Sequence, residues 1–274
     1  MNEEHPEQPR SLLIGNWKMY GHRKDLREVS AVAGAIATCP PAIDTVICPP
    51  FTLIASAVRR AARSSLGIGG QDCHPQPAGA YTGDVSATML KDLGARLVIL
   101  GHSERRRGHA ETDELVGAKA EAALDARLTP VICVGEADPD LGARAAAQHA
   151  AGQFMRSSPR SARAHDVVLA YEPAWAIGTH AEIDIAYLAE FFALLSDEMQ
   201  RELGSGEARA IALLYGGSVS ATNAAELMRI TELSGLLVGG ASLSARTFLS
   251  IRSSMAAAQG ESSRPAIRRP CRDV

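Results

Sequence analysis

Several classes of protein are excluded by what this chain has little of. No apolar run approaches the roughly 18 residues that a membrane-spanning helix needs. Neither sign of charge dominates: 28 Lys and Arg stand against 31 Asp and Glu, a net charge of −3 over 274 residues. Nucleic acid and anionic membrane surfaces usually require a basic patch, so neither is the expected partner. The five cysteines, Cys39, Cys48, Cys73, Cys133 and Cys271, are odd in number, scattered, and free of any C-x-x-C pair. That argues against a disulfide framework or a zinc ribbon and for a reducing cytoplasm, with the inner thiols serving as buried apolar groups. The opening residues, Met1-Asn2-Glu3-Glu4-His5-Pro6, are too polar and acidic for a signal peptide. No composition break or internal repeat divides residues 11–256. With 46% apolar and 22% charged residues, the composition is that of a globular protein.

What is present is a regular alternation. Residues 1–10 and 257–274 read as tails, the second rich in Ala, Ser, Arg and Pro. The remainder, 11–256, is close to the roughly 250 residues of an eight-fold β/α barrel. Strand-like apolar runs occur at 12–16, 45–48, 66–71, 97–100, 130–134, 167–171, 210–215 and 235–238. Amphipathic or Ala-rich stretches follow them near 24–37, 52–63, 86–93, 112–126, 142–156, 184–203, 222–229 and 244–256. Strict alternation predicts a parallel sheet, here a single-domain (β/α)8 barrel of the α/β class. The rival, an open doubly wound sheet, would want a G-x-G-x-x-G turn after the first strand, and none is there.

The polar residues discriminate further, because barrel chemistry gathers at the C-terminal ends of the strands. Lys18 lies two residues past the first strand. His102 follows the fourth, where a helix opening at Ser103 would hold its ring neutral. Glu172 ends the sixth strand beside Pro173 and Trp175, where burial is expected to raise a carboxyl pKa and suit it to general-base work. Gly178, Gly216-Gly217-Ser218 and Gly239-Gly240 leave backbone N–H groups bare near helix starts, as a phosphate cradle requires. Each feature alone has an ordinary explanation: a rim lysine, a packed histidine, an ion-paired glutamate, a tight turn. A barrel brings them all to one rim.

These motifs are similar to those of the triosephosphate isomerase family, in family order from about residue 11 to 256. They are Asn16-Trp17-Lys18-Met19, Gly101-His102-Ser103-Glu104-Arg105-Arg106, Ala170 to Thr179, Leu214 to Val219 and Leu237 to Leu243, with Gly70-Gln71-Asp72-Cys73 and Gly79 to Gly83 resembling the third loop. The resemblance implies a cofactor-free interconversion of dihydroxyacetone phosphate and glyceraldehyde 3-phosphate, for which no metal-ligand spacing is seen or needed. Glu172 would be the base, neutral His102 the electrophile and proton shuttle, Lys18 the positive charge, and Asn16 would supply a hydrogen bond to substrate. Gly178, Ser218, Gly239 and Gly240 would bind the phosphate. Glu104 would pair with Lys18, Ser103 would hold the base before substrate arrives, and Ile177 and Leu237 would close over it. The loop around residues 72–86 would insert Thr82 beside Asn16 of a second copy, making a homodimer. Two departures stand out: Tyr20 where the family usually has Asn, and His180-Ala181-Glu182 in the lid hinge. The altered lid leaves room for an isomerase of a four-carbon sugar phosphate such as erythrulose phosphate; a third reading, an inactive scaffold that binds phosphorylated metabolites, is opposed by the presence of every acid–base residue.

Overall fold

The computed structural model describes residues 11–38, 43–159, 161–163, 166–176 and 183–260. Eight parallel strands close in sequence order into one barrel: β1 Ser11–Asn16, β2 Ile43–Cys48, β3 Gly67–Gly70, β4 Leu97–Leu100, β5 Thr129–Val134, β6 Val168–Tyr171, β7 Ala212–Tyr215 and β8 Leu233–Val238. Closure is completed by β1 against β8, with Leu12 opposite Gly235. A Cβ on Gly235 would overlap the Leu12 carbonyl oxygen, so only glycine allows that approach. The smallest contribution to the ladder comes from β3, with two register pairs to β2 and two to β4.

Side chains alternate across each strand, and that period separates two cores. Leu12 and Ile14, Leu97 and Ile99, Val168 and Ala170, and Ala212 and Leu214 fill the barrel interior. Their neighbours Leu13, Val98, Leu169, Tyr171, Leu213 and Tyr215 face outwards into the layer under the helices. The helices are α1 Leu26–Ala37, α2 Ile54–Ala61, α3 Ala87–Asp92, α4 Ser103–Gly108, α5 Asp113–Asp125, α6 Ala143–Ser157, α7 Ile185–Leu203, α8 Ser205–Ala210, α9 Ala224–Leu227 and α10 Ala245–Gly260. The spacing Leu188, Phe191, Phe192, Leu195, Met199 lays one apolar stripe of α7 on the sheet, where Tyr171 stacks on Phe191 with ring centroids 3.8 Å apart. Caps start several helices: Thr112 accepts from the Leu115 N–H at 3.2 Å to open α5.

Two details differ from the sequence reading. Residues 205–210 form α8, so Ala210 ends a short helix and β7 begins at Ala212. The last helix runs to Gly260 with Ala258 buried, so the packed chain continues past position 256. No helix among the described residues is long and apolar enough to cross a membrane.

Candidate active site

The inward series of each strand, continued past its last apolar member, writes the upper layer of the barrel. Leu12 and Ile14 lead to Asn16, Val168 and Ala170 to Glu172, Ala212 and Leu214 to Gly216, and Leu237 to Gly239. Glu172 is 2% exposed at the top of this interior. Space for it comes from glycines: a Cβ on Gly216 would lie 2.9 Å from Glu172 Cγ, and one on Gly135 would overlap the Glu172 carbonyl oxygen.

His102 breaks the parity, and Gly101 is the reason. Inward Leu97 and Ile99 would place residue 101 inward and residue 102 outward. Gly101 instead adopts φ 64°, and a Cβ there would meet Val116 Cγ2 at 2.8 Å. The turn swings His102 towards the base, bringing its Nε2 within 3.1 Å of Glu172 Oε1. On the ring's other side, Nδ1 accepts the Glu104 N–H at 3.1 Å, at the start of α4. A bond of that kind needs a lone pair on Nδ1, so the neutral ring carries its proton on Nε2, facing Glu172.

The other oxygen of the base, Oε2, accepts the Ser103 N–H at 3.2 Å. Ser103 thus holds Glu172 through its main chain, while its buried hydroxyl has no partner. Burial pushes the Glu172 carboxyl up, but the contact with His102, the Ser103 N–H and the Lys18 charge outweigh it and leave the group below its ordinary 4.5. The raised carboxyl expected from the sequence is therefore corrected, since the strand end is apolar but the neighbouring rim is not. Burial lowers the His102 pKa, and the Glu172 carboxylate, through charge and hydrogen bond, more than reverses it. The neutral ring expected from the sequence is thus favoured by the Glu104 N–H on Nδ1 and opposed, in this structure, by the adjacent carboxylate.

Lys18 reaches in from β1, its ammonium 2.7 Å from Glu104 Oε1. A Cβ on Gly239 would lie 3.4 Å from Lys18 Cε, so the ammonium stands beside the turn after β8. That turn is tied back to β1, because Trp17 Nε1 donates to the Ser242 carbonyl at 3.1 Å. Asn16, Lys18, His102, Glu104 and Glu172 share one rim, with Ser218, Gly239 and Gly240 on the loops after β7 and β8. Leu237 lies in the inner apolar cluster. Thr82 is exposed on the long connection after β3. Ile177 and Gly178, like His180 and Glu182, lie outside the described residues.

Three neighbours were given no role in the sequence reading, although Arg106 and Gln71 stand inside its motifs. Glu136, buried after β5, accepts from the Tyr171 hydroxyl at 3.0 Å and from Trp175 Nε1 at 2.9 Å, anchoring the segment that leaves Glu172. Its position just past a strand end was the available signal. Arg106 donates to the carbonyls of Gly101 at 2.8 Å and Cys133 at 3.2 Å and to Asp113 at 2.6 Å, fastening the ends of β4 and β5. Gln71 donates from its amide to the carbonyls of Lys18, just past β1, and of Cys48 at the end of β2.

Chemically, the rim offers a buried carboxylate, an imidazole and an ammonium on one side of the barrel, which suits proton transfer next to a carbonyl. The family model described as triosephosphate isomerase matches residues 11–255. A triosephosphate isomerase of Jannaschia sp. is 46% identical over 249 residues, 91% of this chain and 99% of that one. One from Xanthobacter flavus is 48% identical over 242 residues, covering 88% and 96% of the two chains. The crystal structure of triosephosphate isomerase from Bartonella henselae superposes with a TM-score of 0.80 at 38% identity, over 90% of this chain and 99% of that one.

Proposed function

From the premise that this chain belongs to the triosephosphate isomerase family, we propose how its rim interconverts dihydroxyacetone phosphate and D-glyceraldehyde 3-phosphate. Glu172 takes a proton from the carbon beside the carbonyl and returns it to the neighbouring carbon. The Nε2–H of His102 donates to the carbonyl oxygen as charge develops there, then moves protons between the two oxygens of the enediolate. In this proposal the ring is neutral once the Glu172 carboxylate that lifts its pKa has turned to the substrate, so the transfer passes between groups of comparable basicity. Lys18 stabilises the developing negative charge and the phosphate edge, and Asn16 donates to substrate. The N–H groups of Gly178, Ser218, Gly239 and Gly240 hold the phosphate, and Ile177 with Leu237 excludes water from the base.

The observation that carries this reading is the buried pair Glu172 and His102, 3.1 Å apart, beneath an open rim that also holds Lys18. Steady-state assay of the two triose phosphates alongside a four-carbon ketose phosphate tests it. Higher kcat/KM on the triose phosphates is expected, and a preference for the longer sugar, or inactivity on both, would overturn it.

The working unit in this proposal is a homodimer in which the Thr82 loop inserts beside the partner's rim. Supporting it, three large apolar side chains are exposed: Met19 at 95% and Tyr20 at 60%, directly after Lys18 in the chain, and Tyr81 at 45%, directly before Thr82. Sedimentation at micromolar concentration is expected to show twice the chain mass, and a fully active monomer would refute the assembly. The free, buried thiols Cys48, Cys73 and Cys133 fit a reducing compartment, and the cytoplasm is the one proposed.

A further inference from the structure

Lys18 carries the site's positive charge on a backbone that an L-residue resists. Its φ is 53°, in the left-handed region where the Cβ crowds the following carbonyl. A residue of this size stays there only when its surroundings hold it. Both of its main-chain polar groups are held by side chains. The Lys18 N–H donates to Asn16 Oδ1 at 2.9 Å, and the Lys18 carbonyl accepts from Gln71 Nε2 at 2.9 Å.

The same Gln71 nitrogen donates a second bond, 2.8 Å long, to the carbonyl of Cys48 at the end of β2. That carbonyl also accepts the Trp17 N–H at 3.1 Å, so the residue before Lys18 and the residue that grips Lys18 share one anchor. Two carbonyl oxygens as partners fix the amide's orientation, since only its NH2 end has hydrogens to give. One neutral side chain after β3 therefore locks the ends of β1 and β2 in the geometry that aims Lys18 Nζ at Glu104, 2.7 Å away, and stands it beside Gly239.

We propose that Gln71 is a positioning residue for the isomerisation, acting through Lys18 by holding its left-handed backbone so that the ammonium faces the reacting oxygen and the phosphate. The proposal rests on the isomerase reading of the rim. It needs both amide hydrogens, so a hydrocarbon of the same length cannot replace them.

A double-mutant cycle separates this role from general stabilisation. Gln71→Met keeps the length and removes the donors. Lys18→Gly removes the ammonium and adopts positive φ freely. Beside Lys18, Gln71→Met is expected to lower kcat/KM by about 10²-fold, the effect of a misplacement near 1 Å, and to weaken inhibition by inorganic phosphate. In the Lys18→Gly background the same substitution is expected to change kcat/KM by less than about twofold. Thermal unfolding of the four proteins follows the same cycle, with Gln71→Met lowering Tm more beside Lys18 than beside glycine. Equal losses in both backgrounds, or no loss beside Lys18, would overturn the proposal. If Gln71→Met does not fold beside Lys18, recovery of folding in the double variant supports the clamp, and failure of both refutes it. An unsubstituted chain inactive on triose phosphates would sink the isomerase reading instead, leaving the Tm cycle to judge the clamp.

Discussion

Glu172 rests on two donors, the His102 ring and the Ser103 N–H, and the proposed proton abstraction requires both bonds to yield. Its reach is consequently tuned to one side-chain length. Glu172→Asp is expected to lower kcat by about 10²-fold, because withdrawing the carboxylate by one methylene misplaces it by about 1 Å. Inorganic phosphate inhibition should be unchanged, since the proposed phosphate-binding residues, Gly178, Ser218, Gly239 and Gly240, do not include the carboxylate. A second expectation concerns the histidine. The Glu172 carboxylate is what lifts the His102 pKa against burial, so Glu172→Gln should bring it down, towards and below its ordinary 6.5. Nitrogen chemical shifts followed through a pH titration check both this direction and the Nε2–H tautomer of the neutral ring. A rise in the variant would mean that another group supplies the positive shift.

At the scale of elements, the fastening of the helical layer is concentrated in one acid. Asp113, at the start of α5, accepts from Arg106 of α4 at 2.6 Å, Arg156 of α6 at 2.8 Å and Ser157 at 3.1 Å. Asp113→Ala is expected to destabilise the fold by about 3 kcal/mol, since it removes the carboxylate that balances the charge of Arg106, whose side chain is only 15% exposed and keeps just neutral oxygen partners. Burial raises the Asp113 carboxyl, but Arg156, Arg106 and Ser157 together hold it below its ordinary 3.8. A depressed carboxylate stabilises the folded state fully above the ordinary value, and its contribution is lost as the pH falls through the depressed one. Unfolding curves of the wild type and Asp113→Asn should therefore converge as the pH falls below about 4, and a constant gap down to pH 2 would reject the assignment. The strands and their order were legible because a period of two against a period of 3.6 is written in apolar residues alone. The short α8 was not, since its six residues, Ser205–Ala210, carry one buried side chain and no apolar stripe. Glu172 and His102 announced themselves by standing at strand ends. Glu136 and Gln71 stand just past strand ends too, but what gives them meaning is partners 35 and 53 residues away that only barrel closure brings near. Local pattern likewise suggested a raised Glu172 pKa, and the cross-barrel contacts reversed it.

For the molecule as a whole, closing the sheet removes every free strand edge, and with it the template for strand-by-strand addition of another chain. A ring is as durable as its weakest joint. That joint is β3, four residues of sequence Gly-Ile-Gly-Gly tied by two register pairs on each side, where β1 holds β2 by six. Three glycines among those four residues give little side-chain packing to compensate, and each regains backbone freedom on release. Amide hydrogen exchange under native conditions is thus expected to be fastest, among the eight strands, in β3 and the residues of β2 and β4 that face it. Uniform protection around the ring would contradict this. When the seam parts, the newly bared flanks are β2 and β4, rich in Ile, Val and Leu, and these are the surfaces through which heated chains would begin to adhere to one another. Strengthening the grip of this one short glycine-rich strand is accordingly expected to delay turbidity on heating more than an equal change to the helical coat.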